Sequence, residues 1–109
     1  MLHAHLRSLD VLELDVDGFV TGAILRDAPV CVEPLLDRAH VRTLYIDAHE
    51  VTGFDLDPLR DAQGLVEVLA FHHVERVVIW APTPALQTLA AILPPHAPVT
   101  VCQRRPWSL

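Results

Sequence analysis

The chain has 109 residues, 51% of them hydrophobic and 20% charged, with 14 acidic against 8 basic side chains and a formal charge of −6. That length fits one domain, 1–109, which buries roughly 65% of its unfolded surface, so a core forms without disulfide staples or a structural metal, and disorder is excluded. No apolar run approaches the roughly 20 residues of a membrane span, and the acidic balance leaves a phosphate backbone no basic face, so neither a membrane span nor a nucleic-acid partner is expected.

In chain order, Leu12-Glu13-Leu14-Asp15-Val16-Asp17 alternates apolar with acidic residues, the period of a half-buried strand. Its carboxylate face is expected to meet water, near a sheet edge where charge discourages foreign pairing. Gly18 reads as a turn, with Phe19-Val20 starting a short second strand. Thr21 suits a helix cap, and Pro29 and Pro34 interrupt the segment after it, which predicts short helices over 21–28 and 34–40. Thr43-Leu44-Tyr45-Ile46-Asp47 is a compact strand of the kind covered on both faces in parallel sheets, followed by a loop over 48–56.

Asp57-Pro58 gives the clearest helix start: a capping carboxylate, then a proline where no N–H is needed. Leu59, Ala62, Val66, Leu69, Ala70 and His73 continue it at helical spacing, predicting a helix over 57–72. Arg76-Val77-Val78-Ile79-Trp80 is a further strand. Thr83-Pro84 opens a helix with Leu86, Leu89, Ala90 and Leu93 on one stripe, stopped by Pro94-Pro95. Val99-Thr100-Val101-Cys102 is the last strand, before a polar tail over 103–109. The expected order is β(β)αβαβαβ within a core of about 11–102, an α/β class with a mainly parallel sheet covered by helices.

Two stretches carry a family resemblance. The first is Arg42-Thr43-Leu44-Tyr45-Ile46-Asp47-Ala48 with Glu50-Val51-Thr52-Gly53-Phe54-Asp55-Leu56-Asp57-Pro58-Leu59. The second is Val74-Glu75-Arg76-Val77-Val78-Ile79-Trp80 followed by Pro84-Ala85-Leu86. Together they resemble the STAS domain, most closely the SpoIIAA-like relatives of anti-sigma-factor antagonists. The resemblance implies a bacterial regulatory or scaffold module that binds a partner protein or itself, with a possible homodimer. In regulatory STAS members a phosphorylatable Ser or Thr follows the loop aspartate. Here Asp55 matches the aspartate, but Leu56 follows it, and a hydrocarbon accepts no phosphate.

Binding sites of open parallel sheets lie at the carboxyl ends of strands, which directs attention to the segment holding Asp47, His49, Glu50, Asp55, Asp57 and Asp61. Asp57 and Asp61 have a structural reading as cap and dipole partner. Phe54 and Leu56, flanked by carboxylates, read as an apolar anchor with an acidic rim. Phe54 equally reads as a plug into the core, and Trp107 as a further exposed apolar residue. The expected partner-binding set is therefore Asp47, Glu50, Phe54, Asp55, Leu56 and Asp57.

Catalytic machinery is not expected. Ser8 and Ser108 sit near the two ends, no nucleotide or nucleophile motif occurs, and Cys31 and Cys102 lie among apolar neighbours. None of His3-x-His5, His49-Glu50 or His72-His73-x-Glu75 has the spacing that sets two imidazoles around one ion, so no metal or cofactor is expected without long-range partners. His72 and His73 suit the end of a helix. Met1 to Arg7 lacks the pattern of a signal peptide, which predicts a cytoplasmic location. Two alternatives stay open: a carrier of a small hydrophobic ligand such as a lipid, and a metal-dependent enzyme using the acidic loop and His49.

Overall fold

A computed structural model describes the backbone of residues 1–91 and 99–107 and the side chains of 1–87 and 99–107. The side chains of Leu89 and Ala90, and Leu93, Pro94-Pro95 and Ser108 altogether, lie outside what is described, so the rest of the helical stripe and its proline stop are not placed. Five strands form one sheet in the order β1-β2-β3-β4-β5: β1 Leu2–Leu6, β2 Val11–Thr21, β3 Thr43–Asp55, β4 Arg76–Trp80 and β5 Val99–Cys102. β1 pairs antiparallel with β2, and the other three pairings are parallel. The helices are α1 Gly22–Arg26, α2 Ala28–Arg38, α3 Pro58–Asp61, α4 Gln63–Phe71 and α5 Pro84–Ala91.

Because β2 to β5 follow one another in space as in sequence, right-handed crossovers place every connecting helix on the same face. The core shows this directly. Leu12, Leu14, Leu44, Val77 and Ile79 of the strands cluster with Val32, Leu36, Leu65, Leu69 and Leu86 of α2, α4 and α5. The alternate strand residues, among them Glu13, Asp15, Tyr45, Asp47 and Trp80, therefore look the other way, onto a face crossed by the tail.

Several local expectations are corrected. Leu2, Ala4 and Leu6 pack against the core, so the first residues form an edge strand ahead of the acidic one. Gly18 does not turn the chain. It sits at positive φ (76°) beside register shifts in β2, and the strand runs on through Phe19-Val20 as one piece. Residues 48–55 are not a loop either: β3 continues to Asp55, paired with the far half of β2.

Thr21 caps α1 as expected, its Oγ1 accepting from the Ile24 amide at 3.4 Å. The break then falls at Asp27 and not at a proline. Pro29 opens α2, where its missing N–H costs nothing, and Pro34 is carried inside the helix, whose Val32 and Leu36 are buried in the core. Asp57 caps α3, accepting from the amides of Leu59 (3.2 Å) and Arg60 (3.4 Å), but the helix pauses at Ala62 before α4 resumes. The acidic face of β2 does not simply meet water: Glu13 is only 4% exposed, because His5 of β1 and Arg7 just after it cover it.

Candidate functional site

The sequence-derived candidates separate into three places. Asp55, Leu56 and Asp57 lie where β3 runs into α3. With Gly22, Ala23 and Arg26 of α1, and Arg60 opposite, they line an open cleft of about 500 Å³. Its floor is Asp61. That carboxylate reaches back to accept the Asp57 amide at 2.9 Å, closing a reciprocal cap with Asp57, and receives Arg26 Nη1 at 2.5 Å and Arg60 Nε at 3.3 Å. The Asp57 amide, then the two guanidinium groups, hold the Asp61 carboxyl below its ordinary value despite the opposing effect of burial. Gly22 has to be glycine here, since a Cβ would stand 2.3 Å from Asp61 Oδ2. The cleft is thus a charged notch with Leu56 as an apolar wall, pinned by one buried carboxylate paired with two exposed guanidinium groups.

Phe54 points the other way and packs against the core, fixing β3 to the helical layer. Exposed apolar side chains nearby are Phe19, stacked over Gly53 at the end of β2, and Leu59 on α3. Asp47 and Glu50 meet through His49. Its Nδ1 contacts the Asp47 carboxylate, its Nε2 lies 3.3 Å from Glu50 Oε1, and its ring stacks on Trp80 at 4.2 Å. Both ring nitrogens are thus engaged with different carboxylates, an arrangement that orients the imidazole against the sheet.

Trp107 is not an exposed anchor. It is 7% exposed and lies on Tyr45, while Trp80 Nε1 donates to the Gln103 carbonyl at 3.2 Å, so the tail is held across the helix-free face. Cys31 and Cys102 are half-buried free thiols, and His72 closes α4 facing Asp37 (3.4 Å) and Glu33 (3.9 Å).

One cluster escaped the sequence reading. His5 on β1 faces Glu13 on β2, its direct register partner, and Asp15 two residues on. His5 Nε2 lies 3.8 Å from Glu13 Oε2, His5 Nδ1 lies 3.8 Å from Asp15 Oδ2, and Arg7 Nη1 donates to Glu13 Oε1 at 2.7 Å. Burial pushes the Asp15 carboxyl up to about 7, reinforced by its hydrogen bond with Glu13 and by the charges of Glu13 and Asp47, against a smaller pull from Arg105. Burial also raises Glu13, but hydrogen bonds from Asp15 and Arg7 and the neighbouring His5 outweigh it, and its pKa falls below the ordinary value. The two neighbouring carboxyls therefore resist being charged together. The signal was present in the sequence: Leu2, Ala4 and Leu6 alternate with His3 and His5, a strand period that ends after five residues.

No protein-family model matches the sequence, and no curated protein does. Solved structures do. The anti-sigma factor antagonist SpoIIAA in its unphosphorylated form superposes with a TM-score of 0.62 over 92% of this chain and 87% of its own, at 10% identity. A protein of the DUF3478 family with a SpoIIAA-like fold, from Shewanella loihica PV-4, gives 0.59 over 95% and 85%, at 15% identity. With one antiparallel edge strand, a parallel remainder and helices on one face, the chain has the SpoIIAA-like fold of STAS domains.

Proposed function

We propose that the protein is a non-enzymatic interaction module, a bacterial regulatory or scaffold protein of the cytoplasm that binds a partner protein or a second copy of itself. The observation that carries this reading is the cleft where β3 meets α3. It lies at the carboxyl end of a central parallel strand, is lined by Leu56 and the charged pairs around Asp61, and is bordered by exposed Leu59. The likeness to an anti-sigma factor antagonist supports the same role.

Leu56 stands where regulatory STAS members carry their phosphorylated hydroxyl, so the interaction runs without a phosphate switch at that position. Asp55, Leu56 and Asp57 supply the contacts. Asp47 and Glu50, held by His49, form a second acidic patch on the other face of the sheet. Phe54 supports the surface from below and is not part of it.

Light scattering at micromolar concentration, with cross-linking and affinity capture from the source cell, tests the proposal when wild type is compared with Leu56→Glu and Leu59→Glu. Loss of the complex in those variants, with far-UV circular dichroism unchanged, is the expected result. A strict monomer without any captured partner, or a complex indifferent to both substitutions, overturns it.

A further inference from the structure

We propose that the helix-free face carries a site for a divalent transition-metal ion, with His5, Glu13 and Asp15 as its protein ligands. The three residues come from adjacent strands. His5 and Glu13 are register partners, and Asp15 follows Glu13 by two, so the strand period puts all three side chains on one face. One ligand atom from each lies within 4.8 Å of the other two.

The separations say what kind of contact this is. At 3.8 Å, His5 is too far from either carboxylate for a hydrogen bond. An ion takes one of the two ring nitrogens; that nitrogen and the carboxylate oxygen facing it at 3.8 Å are each within roughly 2.1 Å of a common ion at an open angle, with the third residue's ligand atom within 4.8 Å of both. A second observation is independent of spacing: His5 Nδ1 and Asp15 Oδ1 are both buried from solvent, yet neither has a hydrogen-bond partner. Buried polar atoms left unmatched are rare, and these two belong to two of the three residues of the cluster.

The surroundings fit a ligand set more than a plain ion pair. Arg7 donates to Glu13 Oε1 and leaves Oε2 turned towards His5, the outer hydrogen bond that orients a ligating carboxylate. The His5 side chain is 39% exposed, which gives an ion a way in and room for water in the remaining positions. One imidazole with two carboxylates suits Zn²⁺, Mn²⁺ or Fe²⁺, and is a poor match for soft Cu⁺. None of these residues lines the partner-binding cleft, so this site and that function stand or fall separately.

Calorimetric titration of the chelator-stripped 109-residue chain with Zn²⁺ near neutral pH tests the site. One equivalent is expected to bind, with His5→Ala and Asp15→Asn each weakening it about tenfold or more. His3→Ala and His49→Ala are expected to leave it unchanged. Should a variant fail to fold, wild type alone decides: Zn²⁺ is expected to shift the ring-nitrogen resonances of His5 and leave those of His49 in place. No binding at millimolar Zn²⁺, unchanged binding in both His5→Ala and Asp15→Asn, or shifts confined to other histidines overturns the proposal.

Discussion

Trp107 lies flat on Tyr45, ring centroids 4.4 Å apart and planes 8° from parallel, while Trp80 meets Trp107 edge-on at 6.1 Å. Arg105 Cζ sits 5.7 Å from the Trp107 ring and 6.0 Å from that of Trp80. The tail is thus a structural part of the sheet. Trp107→Ala is expected to cost about 2–3 kcal/mol in chemical denaturation, from lost burial plus stacking. Trp107→Phe keeps the stack and removes a buried indole N–H that has no partner, so it is expected to stay within about 1 kcal/mol of wild type.

Gly22 and Gly18 are predicted to fail for different reasons when replaced by alanine. At Gly22 the new methyl strikes the Asp61 carboxylate, so α1 and α3 must part, at about 1–3 kcal/mol. At Gly18 there is open space, and only the positive φ is strained, at about 1 kcal/mol. Thermal denaturation ranks the two. Only Gly22→Ala is expected to disturb Arg26 and the cleft.

Stability is expected to depend on pH through Asp15. The carboxyl titrates at 3.8 when unfolded and at about 7 when folded, so between those values the folded chain holds a proton that the unfolded chain has lost. Stability therefore falls as pH rises through that window, and the whole cost is present above pH 7. With the Asp15 side chain 36% exposed, solvent screening leaves about 1–2 kcal/mol of it. Glu13 acts in the opposite sense, its contribution present above 4.5 and lost as pH falls through its lower folded value. In chelator-containing buffer, Asp15→Asn is expected to match wild type near pH 5 and exceed it at pH 8. Denaturation midpoints at the two pH values check this.

Phe54 and Leu56 are neighbours in sequence with different jobs. Phe54→Ala is expected to lower stability by about 1–3 kcal/mol through lost packing on the core. Leu56→Glu, at the half-buried wall of the cleft, is expected to change stability by less and to act on binding. Urea midpoints set beside a binding measurement separate the two roles.

Local chemistry was legible in the sequence wherever it was self-sufficient. The Asp57-Pro58 start, the apolar strands at 43–47 and 76–80, and the cap at Thr21 each depend on neighbours within a few residues. Features that depend on distant partners were not. Residues 48–55 have little strand character alone and become a strand because β2 offers them a ladder. Pro34 is tolerated because Val32 and Leu36 are buried around it. The acidic side of β2 reads as a wet face until His5 of β1 and Arg7 beyond it lie over it. Of the six candidate residues, three reached the cleft, two the opposite acidic patch, and Phe54 the interior.

The outer half of β3 leaves one rail of backbone bare, since β4 pairs with β3 only as far as Asp47. Among the described strands, nothing hydrogen-bonds along that side beyond this point. Such a rail invites another molecule to zip onto it, and His49, Glu50 and Asp55, polar and exposed, are its bumpers. Their removal would convert an unpaired margin into the seed of a fibre.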